Sequence, residues 1–303
     1  ERTSQGLAVR LGYRPPYDIG AMLDFFGQRA IRGVELVHAS SERCVLARTL
    51  SIESAGRGHR GWICAEFDAP HHQVVLRVAE TLLPVLPAVI RRVRAALDLD
   101  ADPLAINKAL HASFPAADGL RVPGALNGYE LAVRAVLGQQ ITVAAARTLA
   151  QRLVDRFGEP VATPWPELRR LFPEPAVLAG ASPDALGQLG IVRQRQAAIV
   201  AIARAVAQRH IELHGGSNVA GTVAALTGLP GIGDWTAQYI AMRALRWPDA
   251  FPSGDVALHR ALRVQDDPRP ARAALAASQA WRPWRSYAVI RAWHGLATRQ
   301  EHQ

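Results

Sequence analysis

The chain has 303 residues, 49% of them hydrophobic, and a formal net charge of +9. That length exceeds one ordinary hydrophobic core, so two or three domains are expected. The sequence contains no run of about eighteen apolar residues that would predict a membrane span, and no targeting peptide is visible. The two cysteines, Cys44 and Cys64, are too few for a disulfide framework or a four-thiolate metal site. We therefore expect a cytoplasmic protein whose thiols stay reduced.

The positive charge is concentrated in the second part of the chain. Residues 1–127 hold 15 basic and 13 acidic side chains, whereas residues 128–303 hold 20 basic and 13 acidic ones. A moderate basic excess suits a polyanionic partner such as nucleic acid, but it can equally serve solubility.

The first hundred residues predict a mixture of helix and strand. Asp18 is placed to cap a helix that runs to about residue 30. The buried face of that helix would comprise Met22, Leu23, Phe25 and Phe26. Strands are predicted over residues 34–38, 44–52, 62–67 and 74–78, with a turn marked by Gly56, Gly58 and Gly61. A helix over about residues 87–97 closes this α+β unit, and residues 98–103 predict a boundary.

After the boundary the pattern is almost purely helical. Helical spacing or composition predicts segments over residues 104–112, 128–138, 143–157, 183–189, 193–209, 219–226, 235–245, 256–262, 271–278 and 283–298. Proline- and glycine-bearing stretches separate them, notably residues 158–166, 172–175 and 214–218.

The most informative segment is the LPGIG turn at residues 229–233, between two of these helices. Proline fixes one backbone angle, and the two glycines can adopt positive φ. The first amides of the second helix have no partner within it and lie at the positive end of its dipole, a geometry that binds phosphate. An ordinary turn in a helical bundle fits the same residues. A dinucleotide site is disfavoured, because no strand precedes the turn and Thr236 replaces the third glycine.

Aromatic side chains cluster on and after this hairpin. Trp235 and Tyr239 are four residues apart and therefore share one helix face. Further aromatics crowd the C-terminal end: Trp281, Trp284, Tyr287 and Trp293. Most aromatics at helical spacing pack in cores, but some of these could line a slot for a planar base. A cationic base would gain extra attraction to the ring faces.

Asp255, in the sequence FPSGD, is the candidate catalytic carboxylate. It precedes a helical run and is a favoured N-cap type. A carboxylate whose direction is fixed by capping could also stabilise an oxocarbenium-like sugar, so the two roles are compatible. Asp249 is the competing carboxylate and is expected to be solvated. The only lysine, Lys108, lies far from the hairpin in sequence, so no amine nucleophile is offered for a Schiff base.

The combination LPGIGDWTAQY followed by FPSGD resembles the helix-hairpin-helix DNA glycosylase superfamily with its downstream catalytic aspartate. Three further blocks are similar to the DNA-3-methyladenine glycosylase II (AlkA) family: RPPYDIGAMLDFFGQRAIRGVE, LRVPGALNGYELAVRAVLGQQIT and WRPWRSYAVIRAW. The resemblance covers nearly the whole chain. It implies a mainly α fold with an N-terminal α+β domain (residues 1–101) and two helical subdomains around a cleft. Residues 102–127 with 248–303 would carry the catalytic aspartate, and residues 128–247 the hairpin.

The resemblance also implies roles for individual residues. Asp255 would be catalytic, and Trp235, Tyr239 and Trp293 would line the base pocket. Gln139 would lie at the edge of that pocket, and Gln140 would be the wedge that fills the gap left by an extruded nucleotide. The amides of Gly231, Gly233 and Thr236 would bind a DNA phosphate. The carbonyls of Thr227, Leu229 and Gly231 would hold a monovalent cation (Na⁺ or K⁺), and no other cofactor is expected.

The implied activity is hydrolysis of the N-glycosidic bond of alkylated purines, of the 3-methyladenine and 7-methylguanine type, in double-stranded DNA by base flipping. Trp235 stands where lyase-active relatives such as endonuclease III have a lysine, so a monofunctional enzyme is expected. We also expect a monomer with no membrane partner. Because the AlkA-like module occurs fused behind an Ada-like regulatory region in some bacteria, Glu1 could mark such a junction or a native N-terminus, and both interpretations stay open. Two alternatives stay open: a non-catalytic helix-hairpin-helix module that binds DNA, and a glycosylase for another lesion.

Overall fold

The computed structural model describes residues 6–301, and for residues 299–301 the backbone alone. Glu1, the candidate junction, lies outside the described residues. Within the described part, no helix is both long enough and apolar enough to cross a membrane.

The N-terminal part contains a five-stranded antiparallel sheet. Its strands are β1 (Leu7–Gly12), β2 (Glu35–Ala39), β3 (Cys44–Ser54), β4 (Arg57–Asp68) and β5 (Gln73–Val78), in the order β1-β5-β4-β3-β2. Sequence reasoning missed β1, a short edge strand. The predicted turn is confined to Ala55 and Gly56, which both have positive φ (50° and 74°). Gly58 and Gly61 lie within β4, and the prediction that they belong to the turn is wrong.

Helices make up most of the remaining chain. They are α1 (Ile19–Arg29), α2 (Leu86–Ala96), α3 (Pro103–Leu110), α4 (Gly128–Leu137), α5 (Val143–Phe157), α6 (Pro175–Ala179), α7 (Pro183–Gly187), α8 (Arg193–Ala207), α9 (Val219–Thr227), α10 (Asp234–Arg243), α11 (Val256–Ala261), α12 (Pro270–Ala277) and α13 (Arg285–Glu301). Each predicted helix has an observed counterpart. The sequence did not predict α6, which begins at Pro175 within the proline-bearing stretch 172–175 that was assigned to a separator. The predicted mainly α fold with an N-terminal α+β unit is confirmed.

Two large hydrophobic cores organise these elements. The first lies between the sheet and helices α1 and α2, with Leu23, Ile63 and Val89 at its centre, all 0% exposed. The second is a single cluster that takes in residues from both predicted helical subdomains, for example Val289 from one and Ile240 from the other. The two helical parts therefore share one continuous core, which fixes the relative positions of α4, α10 and α13.

Hydrogen bonds of Asp98 attach the predicted boundary at residues 98–103 to the helical part. This side chain is buried and accepts hydrogen bonds from Arg246, from the Val122 amide (3.2 Å) and from the Tyr287 hydroxyl (3.2 Å). Burial raises the pKa of Asp98, and the Arg246 cation opposes that shift. These bonds join the N-terminal unit to the helices on which the candidate site is built.

Candidate active site

The two glycines of the hairpin between α9 and α10 have different roles in the fold. The backbone conformation requires glycine at position 231, whereas a Cβ at position 233 would contact nothing in the protein. Gly231 has φ +74°, and a Cβ there would lie 3.2 Å from the Ala198 Cβ on α8. Gly233 has φ −90° and no atom within 4 Å of a built Cβ. The expectation of positive φ at both glycines is therefore wrong for Gly233. Protein packing does not explain its missing side chain, which leaves the space outside the turn free.

The amides predicted to bind phosphate are unpaired on the protein side. Within the part of the chain that the structure describes, the amides of Gly231, Gly233 and Thr236 make no backbone hydrogen bond to the protein. The first bond of this helix end runs from the Ala237 amide to the Gly233 carbonyl (3.1 Å). Asp234 is exposed at the first position of α10 and does not cap it, since Gly233 is the N-cap. Phosphate binding here stays a prediction.

The three carbonyls predicted to hold a cation differ in their partners. The Leu229 carbonyl accepts from the Ile232 amide (3.2 Å), and the Gly231 carbonyl accepts from the Gln139 side chain (3.0 Å). Among the described residues no donor reaches the Thr227 carbonyl. A carbonyl oxygen has two lone pairs, so all three retain capacity for another partner.

Asp255 is held at the entrance to α11 by three hydrogen bonds. Its Oδ1 accepts from the Leu258 amide (2.6 Å) and from the Trp293 indole Nε1 (3.0 Å). Its Oδ2 accepts from the Trp235 indole Nε1 (2.9 Å). The carboxylate is half-buried and lines a cleft of about 600 Å³. The N-cap role is confirmed, and it fixes the direction of the carboxylate.

The same two indoles form walls of the cleft. Trp235 and Tyr239 stack with ring centroids 5.4 Å apart and planes within 13°, and Tyr239 lies 6.3 Å from Trp293. The other C-terminal tryptophans lie elsewhere: Trp281 is buried and donates to the Ser113 hydroxyl (3.1 Å). Trp235, Tyr239, Trp293 and Asp255 are thus brought together, and the base-binding role of the three aromatics stays a prediction.

Three cleft residues were not anticipated as site residues. Phe25 was assigned to the buried face of α1, but its ring is half-buried in the cleft wall. The Arg29 guanidinium lies 3.7 Å from the centroid of that ring, and the Arg243 guanidinium lies 4.7 Å from it. Helical spacing puts Phe25 beside Arg29 and Tyr239 beside Arg243. Nothing in the sequence pattern shows that α1 and α10 face each other.

Arg243 is 5% exposed and donates to the Pro123 and Gly124 carbonyls (2.7 and 3.1 Å) and to the Tyr239 hydroxyl. Burial alone would raise the pKa of Tyr239. The Arg243 and Arg29 cations outweigh that effect and hold this pKa below its ordinary value. The guanidinium groups of Arg29 and Arg243 therefore form a positively charged surface of the cleft next to its aromatic walls, which we call the cationic floor.

A buried ionic cluster also lines this cleft. Arg48 donates to Glu35 (3.0 Å) and to Glu130 (2.5 Å), and Arg134 donates to both carboxylates (2.9 and 2.8 Å). Burial would raise the pKa of Glu35, but Arg134 and Arg48 hold it below the usual value. The cluster joins the sheet to α4, and both of its carboxylates are fully engaged.

Asp249 corrects a prediction. It was expected to be solvated, but it is 5% exposed and pairs with Arg285 (2.7 and 2.8 Å) and Arg282 (3.1 Å). These ion pairs hold the segment before Asp255 against the start of α13. Asp249 does not line the cleft, so it does not compete with Asp255 as the reactive carboxylate.

The two adjacent glutamines have different environments. The Gln139 amide nitrogen donates to the Gly231 carbonyl and to the Thr236 hydroxyl (both 3.0 Å), and the Gln139 carbonyl accepts from Arg195. Its side chain therefore braces the hairpin instead of lining the cleft, and its role at the pocket edge stays a prediction. Gln140 is exposed with φ +56°, a conformation that non-glycine residues rarely adopt outside constrained sites. The wedge role of Gln140 also stays a prediction.

Comparison with known proteins gives matches over most of the chain. Residues 8–127 match the AlkA N-terminal domain, and residues 133–285 match the HhH-GPD superfamily of base excision DNA repair proteins. DNA-3-methyladenine glycosylase 2 of Escherichia coli K12 is 33% identical over 284 residues, covering 94% of this chain and 96% of that protein. These matches confirm the resemblance drawn from the hairpin and FPSGD motifs.

A second relative is longer than this chain. The probable bifunctional transcriptional activator/DNA repair enzyme AlkA of Mycobacterium tuberculosis H37Rv is 36% identical over 296 residues. That match covers 96% of this chain and 57% of the relative, so the chain spans little more than half of its length. Among solved structures, the 3-methyladenine DNA-glycosylase from Archaeoglobus fulgidus superposes with a TM-score of 0.76 at 19% identity, covering 95% of this chain and 98% of that one. This likeness shows a shared fold.

Proposed function

The chain belongs to the HhH-GPD superfamily of base excision DNA repair proteins with an AlkA N-terminal domain, and from this premise we propose that it is a monofunctional DNA glycosylase. Its substrates would be alkylated purines of the 3-methyladenine and 7-methylguanine type in double-stranded DNA. The observation that carries the proposal is the position of Asp255, a carboxylate fixed by two indoles and a helix N-terminus at an aromatic cleft.

In the proposed mechanism the damaged nucleotide leaves the helix and its base enters the cleft. Trp235, Tyr239 and Trp293 would stack on the base. Alkylation at N3 or N7 makes a purine cationic and hence a good leaving group, so the bond to C1′ breaks as positive charge develops on the sugar. Asp255 would stabilise that charge and orient the water that attacks C1′.

The hairpin would hold the DNA while this happens. The unpaired amides of Gly231, Gly233 and Thr236 suit a phosphate oxygen, because they lie at and just before a helix N-terminus without a backbone partner in the protein. The carbonyls of Thr227, Leu229 and Gly231 are oxygen donors of the kind that hold a hard cation, and we assign a monovalent ion to them. Such an ion would place positive charge beside the bound phosphate.

We also propose that no lyase step follows base release. A lyase of this class needs an amine nucleophile. Lys108 lies on α3 and does not line the cleft, and Trp235 occupies the position after the hairpin. A DNA-nicking assay on abasic duplexes would then show uncut strands, whereas a β-elimination product would contradict this part of the proposal.

The central test is Asp255→Asn. The substitution keeps the shape of the side chain and removes its charge, so base release from methylated duplex should fall by about 100-fold or more. DNA binding, measured by fluorescence anisotropy, should be retained. Full activity in this variant would refute the catalytic assignment. Binding without base release by the wild type would instead identify a non-catalytic DNA-binding module.

A further inference from the structure

The cleft floor contains hydrogen-bond donors that stacking on a cationic base does not use. Arg243 is a fixed support, because it donates to two backbone carbonyls and to the Tyr239 hydroxyl. Since the Tyr239 oxygen accepts from Arg243, its own proton must point elsewhere. Among the described residues no acceptor for that proton is found. The lowered pKa of Tyr239 makes its hydroxyl a stronger donor.

Arg29 supplies further donors on the same wall. Its guanidinium stacks on Phe25 and donates to the Phe25 carbonyl (3.1 Å). It also interacts with the Tyr239 hydroxyl by a side-chain hydrogen bond. A guanidinium has five N–H groups in a planar fork, so these two bonds leave others for a ligand in the cleft that Arg29 lines. Burial lowers the pKa of Arg29 to about 10, with Tyr239 opposing the shift, so the group is still charged at neutral pH.

We propose that the Tyr239 hydroxyl and the Arg29 guanidinium form an acceptor-recognition site, which selects lesions whose base carries a carbonyl oxygen on its six-membered ring. This proposal deepens the function proposed above and rests on it. Arg243 is the positioning residue, because it directs the Tyr239 proton into the cleft.

The physical argument combines hydrogen bonding with charge. Buried donors that find no acceptor disfavour a base without a carbonyl. The positive floor repels a cationic base, and the aromatic walls attract it. Hypoxanthine, neutral with a carbonyl, should benefit most from the site. A cationic base without a carbonyl, such as 3-methyladenine, should benefit least.

Four lesions separate the two effects. Base release is measured in single turnover on duplexes with hypoxanthine (neutral, carbonyl), 7-methylguanine (cationic, carbonyl), 1,N6-ethenoadenine (neutral, no carbonyl) or 3-methyladenine (cationic, no carbonyl). Tyr239→Phe keeps the ring and removes the donor. We expect it to slow release of the two carbonyl lesions by about tenfold or more, and of the other two by less than about threefold.

Arg29 variants test the charge separately. Arg29→Met removes both donors and charge, and should slow hypoxanthine release while leaving 3-methyladenine release unchanged or faster. Arg29→Gln keeps amide donors, and should retain more of the carbonyl preference than Arg29→Met. The control is Arg147→Met, which removes a cation from the exposed rim of the same cleft. It should affect all four lesions equally, through DNA binding.

The outcomes are distinguishable. Equal slowing of all four lesions by Tyr239→Phe and Arg29→Met would show that these residues only shape the cleft, and would overturn the inference. If the wild type releases none of the four bases, the proposed function itself fails. Circular dichroism and thermal melting check folding. Should Tyr239→Phe not fold, the variants of the partly buried Arg29 decide the question alone.

Discussion

The tryptophans that would stack on the base also orient the Asp255 carboxylate. The indole nitrogens of Trp235 and Trp293 each donate to one oxygen of Asp255, while their rings form cleft walls. Hydrogen bonds to a charged acceptor are stronger than neutral ones and fix its direction. Substitution of either tryptophan should therefore disturb catalysis even where stacking survives.

Trp293→Phe tests this dual role. Phenylalanine keeps an aromatic wall and removes the N–H that bonds Asp255 Oδ1. We expect the single-turnover rate of base release to fall by about tenfold, the range for one hydrogen bond to a charged group, with DNA affinity unchanged. The matched control is Trp284→Phe, because Trp284 packs against Tyr287 outside the cleft. An unaltered rate in Trp293→Phe would show that this bond does not orient the carboxylate.

At the scale of elements, the two glycines of the hairpin differ in what the fold requires of them. Gly231 is required by its positive φ and by the approach of α8, whereas Gly233 meets nothing within the protein. The side chain of Gln139 braces the turn from the loop after α4 through the Gly231 carbonyl and the Thr236 hydroxyl. The turn is therefore held rigid, and its outer surface is left open.

Alanine at each glycine should give opposite results. Gly231→Ala should destabilise the fold by about 1 kcal/mol or more, because an L-residue is strained at positive φ and its Cβ crowds Ala198. Gly233→Ala should melt like the wild type but bind duplex DNA more weakly, because the new methyl group would obstruct the proposed phosphate site. Thermal melting and anisotropy titrations measure the two effects. Unchanged DNA affinity in Gly233→Ala would place the phosphate elsewhere.

Local patterns predicted most elements, and contacts between distant segments explain what they missed. The helices on both sides of the hairpin followed from turn chemistry and spacing. The capping role of Asp255 followed from its place before a helical run, and confirmation needed only its bond to the Leu258 amide. The sequence around Asp249 gave no sign that its side chain is buried. It is buried because it pairs with Arg282 and Arg285, which lie more than thirty residues later in the chain. Phe25 was missed as a cleft residue for the same reason.

At the scale of the whole molecule, a buried ionic cluster beside the cleft joins the sheet to helix α4. Glu35 on β2, Arg48 on β3, and Glu130 and Arg134 on α4 are held together within about 3 Å. Removal of one partner from such a cluster leaves an uncompensated buried charge. The pKa of Glu35 is lowered, so its contribution to stability is present above the ordinary carboxyl value of 4.5. That contribution is lost as the pH falls through the lowered value.

Glu35→Gln should therefore cost about 3–5 kcal/mol of unfolding free energy at neutral pH. The variant should also lose less stability than the wild type on acidification, because the group that takes up a proton on unfolding has been removed. The control is Glu66→Gln, which breaks a partly exposed pairing with Arg43 and Arg77 and should cost less than about 1 kcal/mol. Parallel pH profiles for Glu35→Gln and the wild type would contradict the assignment.

The single core shared by the two helical parts has a mechanical consequence. Because the described residues of the two parts pack in one core, we expect the protein to keep its shape when it binds DNA, so that the distortion required by the proposed nucleotide extrusion would fall on the DNA. Opening and bending a duplex require less work where stacking or pairing is already weakened. A rigid protein would therefore bind preferentially where the duplex is easily deformed. Part of its discrimination between damaged and intact sites would then occur before any base reaches the aromatic walls of the cleft.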